Sequence, residues 1–174
     1  MPNKIQIQSK ESTEKLNIQN FMFDEDEYYR NKINVRDLSL FKKGQEIQDI
    51  VRLLTELMLE DNKYLQSLKG EMLYNARLLT VKIAGAEAVE LYDLKMDAAT
   101  FIRKAANDLR VMNHSLEDFG FEHTKYFQIV RNLIEEYRLL FVDWVSKFDK
   151  WNYIIDRWGL FNPHGVTPFD KDPG

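Results

Sequence analysis

Glu87, Glu90 and Asp93 recur at intervals of three residues, a spacing that sets carboxylates on one face of a helix. Oxygen donors arranged this way could hold a magnesium ion and, through it, a phosphate. The other residues with chemical capacity are few. His114 stands three residues before Glu117, the reverse of the Glu-x-x-His order that metal sites in helical bundles use. His123 falls near the start of the last helix, and Arg110 lies one turn before His114. Trp144, Phe148 and Trp151 could stack on a base or cofactor, although rings in this register are more often core. Asn152, Tyr153, Asp156 and Arg157 gather polar groups near the C-terminal end. A small-molecule site is to be sought there first.

The acidic series resembles half of the paired motif of all-α NTP pyrophosphohydrolases, which would imply metal-dependent cleavage of a nucleotide. That family needs a second Glu-x-x-Asp or similar pair on the next helix, and residues 96–118 offer none. A two-metal clamp cannot be built from one side, so a solvated acidic face is the better reading. Arg110 and His114 bear a likeness to the arginine–histidine pair of HEPN-type ribonucleases. In that family the pair is more widely separated, whereas here only Val111, Met112 and Asn113 intervene. The sequence contains no Glu-x-x-His, no Gly-rich phosphate loop and no Gly-x-Ser-x-Gly elbow.

Composition narrows the classes further. The 174 residues carry 24 Lys plus Arg against 28 Asp plus Glu, for a net charge of −4 and a pI near 5.5. This balance disfavours a protein that coats phosphate backbones, so nucleic acid is not the expected partner. The absence of cysteine removes disulfides, thiolate zinc sites and thiol catalysis together. The first residues lack an apolar signal core, and no run approaches the length of a membrane span. The expected location is cytoplasmic, with no membrane partner and no cofactor.

These residues must be positioned by helices. The four prolines are Pro2, Pro163, Pro168 and Pro173, which leaves the interior free of helix breakers. Phe127, Val130, Ile134, Tyr137, Phe141, Trp144, Phe148, Trp151, Ile155 and Trp158 follow at steps of three and four. That spacing predicts one helix of about 37 residues, roughly 55 Å long, ending in a Schellman stop at Gly159 and Leu160. A second stretch, residues 45–93, is periodic throughout, with turn chemistry at Asp61, Asn62 and Lys63. It is read as two helices rather than one bent one. A further helix is expected over 96–118, stopped by Gly120. Ala84, Gly85, Ala86, Ala88, Ala98, Ala99, Ala105 and Ala106 are expected to receive the rings of the aromatic helix.

The expected fold class is all-α, a helical bundle of three to four long helices with extended N- and C-terminal tails. Residues 1–43 form a partly polar arm with a short helix capped by Asp37 and stopped by Gly44, residues 44–159 the bundle, and residues 160–174 an extended tail. A helix over 96–118 is too short to cover the aromatic stripe, which points to a partner for its far end. The expectation is a non-enzymatic protein acting through protein–protein contacts, as a homo-oligomer or with a protein partner. Its interface would include Trp151, Ile155 and Trp158, with Phe21, Phe23, Tyr28 or Tyr29 from the arm. The alternative is an all-α metal-dependent hydrolase acting on a nucleotide or other phosphate substrate, with Glu87, Glu90 and Asp93 as ligands.

Overall fold

The structure, a computed structural model, describes residues 34–58 and 61–172. Among the described residues five α-helices follow in order: α1 (Ser39–Glu56), α2 (Lys63–Glu87), α3 (Tyr92–Val111), the short α4 (Asn113–Asp118) and α5 (Phe127–Ser146). Among the described residues there is no strand, and the fold is an all-helical bundle. Each long helix packs on two neighbours, α1 and α3 on α2, and again α1 and α3 on α5. The four therefore stand at the corners of a square, with α2 and α5 on one diagonal.

Two hydrogen bonds cross that diagonal. Tyr137 Oη donates to the Leu79 carbonyl at 2.8 Å, and Trp144 Nε1 donates to Glu87 Oε1 at 2.7 Å. Both partners advance by two turns in the same direction, so α2 and α5 run parallel. Short connections make sequential neighbours antiparallel, which is up-down-up-down topology. Burial pushes the Tyr137 hydroxyl well above its ordinary pKa and keeps it a neutral donor.

Gly44 makes the diagonal close enough. A Cβ there would lie 3.0 Å from Thr80 Cγ2, 3.2 Å from the Leu79 carbonyl oxygen and 3.4 Å from Tyr137 Cε2. Gly44 is thus a buried crossing point inside α1, not a helix stop. The short helix expected to end there is instead a 3-10 turn, Val35–Asp37, capped by Asn34 and followed by α1. Residues 45–93 do divide in two. Asn62 Oδ1 accepts from the Tyr64 and Leu65 N–H groups and starts α2, while its Nδ2 ties to the Phe119 carbonyl.

The helix expected over 96–118 starts earlier, at Tyr92, and bends at Met112 between α3 and α4. Gly120, at φ 81°, stops it as expected. The Phe121 N–H reaches the Leu116 carbonyl and the Gly120 N–H the Glu117 carbonyl, with Phe121 buried. This is a Schellman stop, and it is here rather than at Gly159.

The largest correction concerns the aromatic helix. It ends at Ser146, after 20 residues, or about 30 Å, the same length as α3. The length mismatch that pointed to a partner is absent. Burial of the stripe holds from Phe127 to Phe148, with Phe141 half-buried. Beyond Phe148 the spacing no longer reports a helix. Of the small residues expected to receive the rings, Ala86, Ala99 and Ala105 are buried and Ala106 lines the seam with Phe141, while α3 packs more extensively on α2 than on the aromatic helix.

Candidate interaction surface

The chain after α5 is irregular from Lys147 to Asp172, yet Asp149, Asn152, Asp156, Arg157 and Asn162 brace it with hydrogen bonds. Asp149 Oδ1 accepts the Trp151 N–H at 3.0 Å, turning the chain away from the helix axis. Asn152 then docks on the start of α3. Its carbonyl accepts the Tyr92 N–H at 2.7 Å, and its Nδ2 donates to the Glu90 carbonyl at 3.3 Å. The capping residue of α3 is Leu91, whose side chain cannot accept. Asn152 therefore satisfies a helix N–H that would otherwise lack a partner.

Asp156 is the hub of the next turn. Its carboxylate accepts the N–H groups of Trp158, Leu160 and Phe161 at 2.8, 2.7 and 3.0 Å. Desolvation opposes its charge, but these bonds outweigh it and hold the carboxyl below its ordinary pKa. Asn162 braces the same residue, accepting the Asp156 N–H at 2.8 Å and donating to its carbonyl at 2.9 Å.

Arg157 ties this turn to the last described residues. Its Nη1 donates to the carbonyls of Pro168 and Asp170, both at 2.8 Å, and its Nη2 meets Asp172 Oδ2 at 3.0 Å. The Ile155 N–H donates to Asp172 Oδ1 at 3.3 Å. Gly159, at φ 73°, lies so close to Pro168 that a Cβ would approach its Cγ to 2.9 Å. Residues 155–159 and 168–172 are therefore tied together by the Arg157, Ile155 and Gly159 contacts.

Several large apolar side chains stand exposed among the segment's polar ones. Trp151 is 77% exposed, Trp158 88%, Leu160 74% and Phe169 94%. Ile155 is buried, at 5%. Of the residues expected to form an interface, Trp151 and Trp158 thus stand in solvent and Ile155 does not. Phe21, Phe23, Tyr28 and Tyr29 lie outside the described residues. Phe169 carried no helical periodicity to mark it, and Leu160 had been assigned to a helix stop. Of the polar set Asn152, Tyr153, Asp156 and Arg157, Asn152 and Asp156 bind backbone partners, and Arg157 binds two carbonyls and the Asp172 carboxylate.

The acidic series is dispersed by the fold. Glu87 closes α2, Glu90 lies in the connection, and Asp93 belongs to the first turn of α3. Glu87 accepts from Trp144, so its carboxylate serves the α2–α5 diagonal. One Asp93 oxygen is buried without a hydrogen-bond partner, at a helix start where the dipole favours a carboxylate. Among the described residues no cluster of three or more His, Asp or Glu side chains could hold a metal ion. His114 is exposed on α4, and the His123 ring packs among Phe121 and Tyr126.

A separate concavity of about 380 Å³ opens between α3 and α5. Its floor includes Ile102, Ala106, Ile134 and Phe141, and Arg103, Arg110 and Arg138 stand around it. Of these arginines the sequence marked only Arg110, and for its spacing to His114 rather than for this groove. No helix among the described residues is long and apolar enough to cross a membrane. Compared with protein-family models, curated proteins and solved structures, the chain matches none. The functional reading therefore rests on the surface itself.

Proposed function

We propose that this protein is a non-enzymatic helical bundle that associates through its C-terminal segment, with a second copy of itself as the partner. One observation carries the reading: Trp158 and Phe169 are almost wholly exposed, at 88% and 94%, on a segment braced by the hydrogen bonds of Asp156 and Arg157. Each such ring offers roughly 150–250 Å² of apolar surface. With Leu160 and Trp151 the segment's exposed apolar area reaches roughly a few hundred Å² in total.

Rigid aromatic groups are the side chains that dominate protein interfaces, because they bury large area at small entropic cost. A braced segment has already lost its freedom on folding, which lowers the cost of docking. Charge favours a like partner. The Asp156 carboxylate, though charged, has its oxygens occupied by backbone donors, and Arg157 is paired with Asp172, so neither charge is left uncompensated for a second copy to meet.

Light scattering across a concentration series tests the idea, comparing the intact chain with Trp158→Ala and Phe169→Ala. The expected result is reversible dimerisation, weakened about tenfold or more by either change, with unaltered helical circular dichroism. A wild-type chain that stays monomeric at its solubility limit would refute self-association. A dimer indifferent to both substitutions would place the contact elsewhere.

A further inference from the structure

The seam between α3 and α5 is the more open of the two seams that flank α5, and the reason lies in its side chains. Ala106 on α3 presents only a methyl toward α5, and Phe141 across from it remains half-buried. A small residue was expected to let a ring pack in. Here it leaves an apolar floor unfilled, with Ile102 and Ile134 beneath. The resulting space, about 380 Å³, falls in the lower range of small-molecule sites.

The rim is cationic on an otherwise acidic chain. Arg103 and Arg110 stand two turns apart on α3, about 10 Å along its axis, and Arg138 faces them from α5. The carboxylate lining this concavity is Glu135. Its Oε2 accepts from Arg138 Nε at 2.8 Å, and that bond, followed by the charges of Arg138 and Arg110, holds its carboxyl below the ordinary value. Glu135 thus answers the Arg110 end. Because the two helices are antiparallel, Arg103 lies at the other end, beside Phe141 and Val142, where no carboxylate lines the wall. Asn107, one turn along α3, adds an amide that can donate to the same anion.

We infer that this groove binds an amphipathic carboxylate, its short acyl or ring body lying on Ala106 and Phe141 and its carboxylate held by Arg103 and Asn107. A guanidinium meets a carboxylate through two parallel hydrogen bonds, and the apolar floor gains from covering by a body about as long as the gap between Arg103 and Arg110. Neither half suffices. A bare anion would leave the floor wet, and a neutral chain would leave Arg103 without a counter-charge. The inference does not depend on self-association, because it uses other residues.

Titration calorimetry of the full chain with octanoate, 1-octanol and inorganic phosphate separates these contributions. Octanoate should bind saturably at one site, and 1-octanol and phosphate at least ten times more weakly. Arg103→Gln should weaken octanoate at least tenfold while leaving 1-octanol unchanged. Ala106→Phe, which fills the floor, should abolish binding with helical circular dichroism intact. If that variant fails to fold, the Arg103→Gln and 1-octanol comparisons still decide. Absence of saturable octanoate binding, equal affinity for 1-octanol, or octanoate binding untouched by a folded Ala106→Phe would each overturn the inference.

Discussion

Substituting Gly44 by alanine sets two known effects against each other at one position. In an ordinary helix interior the change would stabilise by about 0.5–1 kcal/mol, because glycine loses more backbone freedom on folding. At Gly44 the new methyl would sit 3.0 Å from Thr80 Cγ2 and 3.2 Å from the Leu79 carbonyl oxygen. Favourable carbon–carbon contact lies near 3.5–4.0 Å, so something must give by about half an ångström. Neither neighbour moves freely. Thr80 is buried and its hydroxyl donates to the Arg77 carbonyl, and the Leu79 oxygen belongs to the α2 backbone and accepts from Tyr137. Relief must come from α1 moving outward, at an overpacking cost of about 1–3 kcal/mol.

The net expectation for Gly44→Ala is a loss of about 1–2 kcal/mol, seen as a lower urea midpoint at unchanged slope. Thr80→Ser provides the control, since it removes the offending methyl and keeps the hydroxyl. Alone it should cost about 1 kcal/mol for a buried methyl, but in the Gly44→Ala background it should cost nothing or stabilise. Two results would refute the reasoning: a gain in stability from Gly44→Ala, or simple additivity of the two changes within about 0.5 kcal/mol.

Other expectations follow from the same structure. Phe148 is buried, edge-on to Trp144 at 4.7 Å between ring centroids, so Phe148→Ala should cost about 3–5 kcal/mol in urea unfolding. Phe141 forms an open wall of the groove, and its alanine variant should cost less, about 1–2 kcal/mol; equal losses would mean that the groove is closed. Asp156 has a folded pKa lowered from 3.8, so its contribution is present above that value and is lost as pH falls through the lower folded value. The amides of Trp158, Leu160 and Phe161 should therefore lose hydrogen-exchange protection at acid pH before the helices melt. Asp156→Ala should remove that protection at every pH, and protection that survived the substitution would show that the carboxylate does not hold the turn.

The long helices were legible because each buries one stripe, and burial imposes a period that a sequence displays. Phe127 to Trp144 and Ile47 to Leu54 are such cases. Gly120 was legible too, since a left-handed residue followed by an apolar one leaves few alternatives to a helix stop. Gly44 shows the converse. The same residue type ends a helix or permits a crossing, and only the partner across the crossing, here Leu79 and Tyr137, distinguishes the two. The arginine groove was illegible for a related reason. Arg103 and Arg110 share a helix, but Arg138 and the missing bulk at Ala106 acquire meaning only when α5 lies alongside.

The end of α5 failed for a more instructive reason. Trp151, Ile155 and Trp158 keep the step of three and four, so periodicity alone extends the helix. Against it stand two short carboxylates able to bond nearby N–H groups, Asp149 and Asp156, and a tertiary demand at the start of α3 that the Asn152 carbonyl meets. Local propensity carries too little energy to resist these bonds together, because most helical stability in proteins comes from packing an apolar face. With the helix ended at Ser146, the meaning of its last aromatics is reversed. On a continuous stripe Trp151 and Trp158 would belong to the core, and their exposure would be an anomaly requiring a neighbour of matching length. On a loop that pairs Asp156, Asn162, Arg157 and Asp172 among themselves, the rings are free to be offered outward. Stability of the segment and availability of its surface then have the same cause. Loosening the Asp156 hub should weaken association without touching a single aromatic residue.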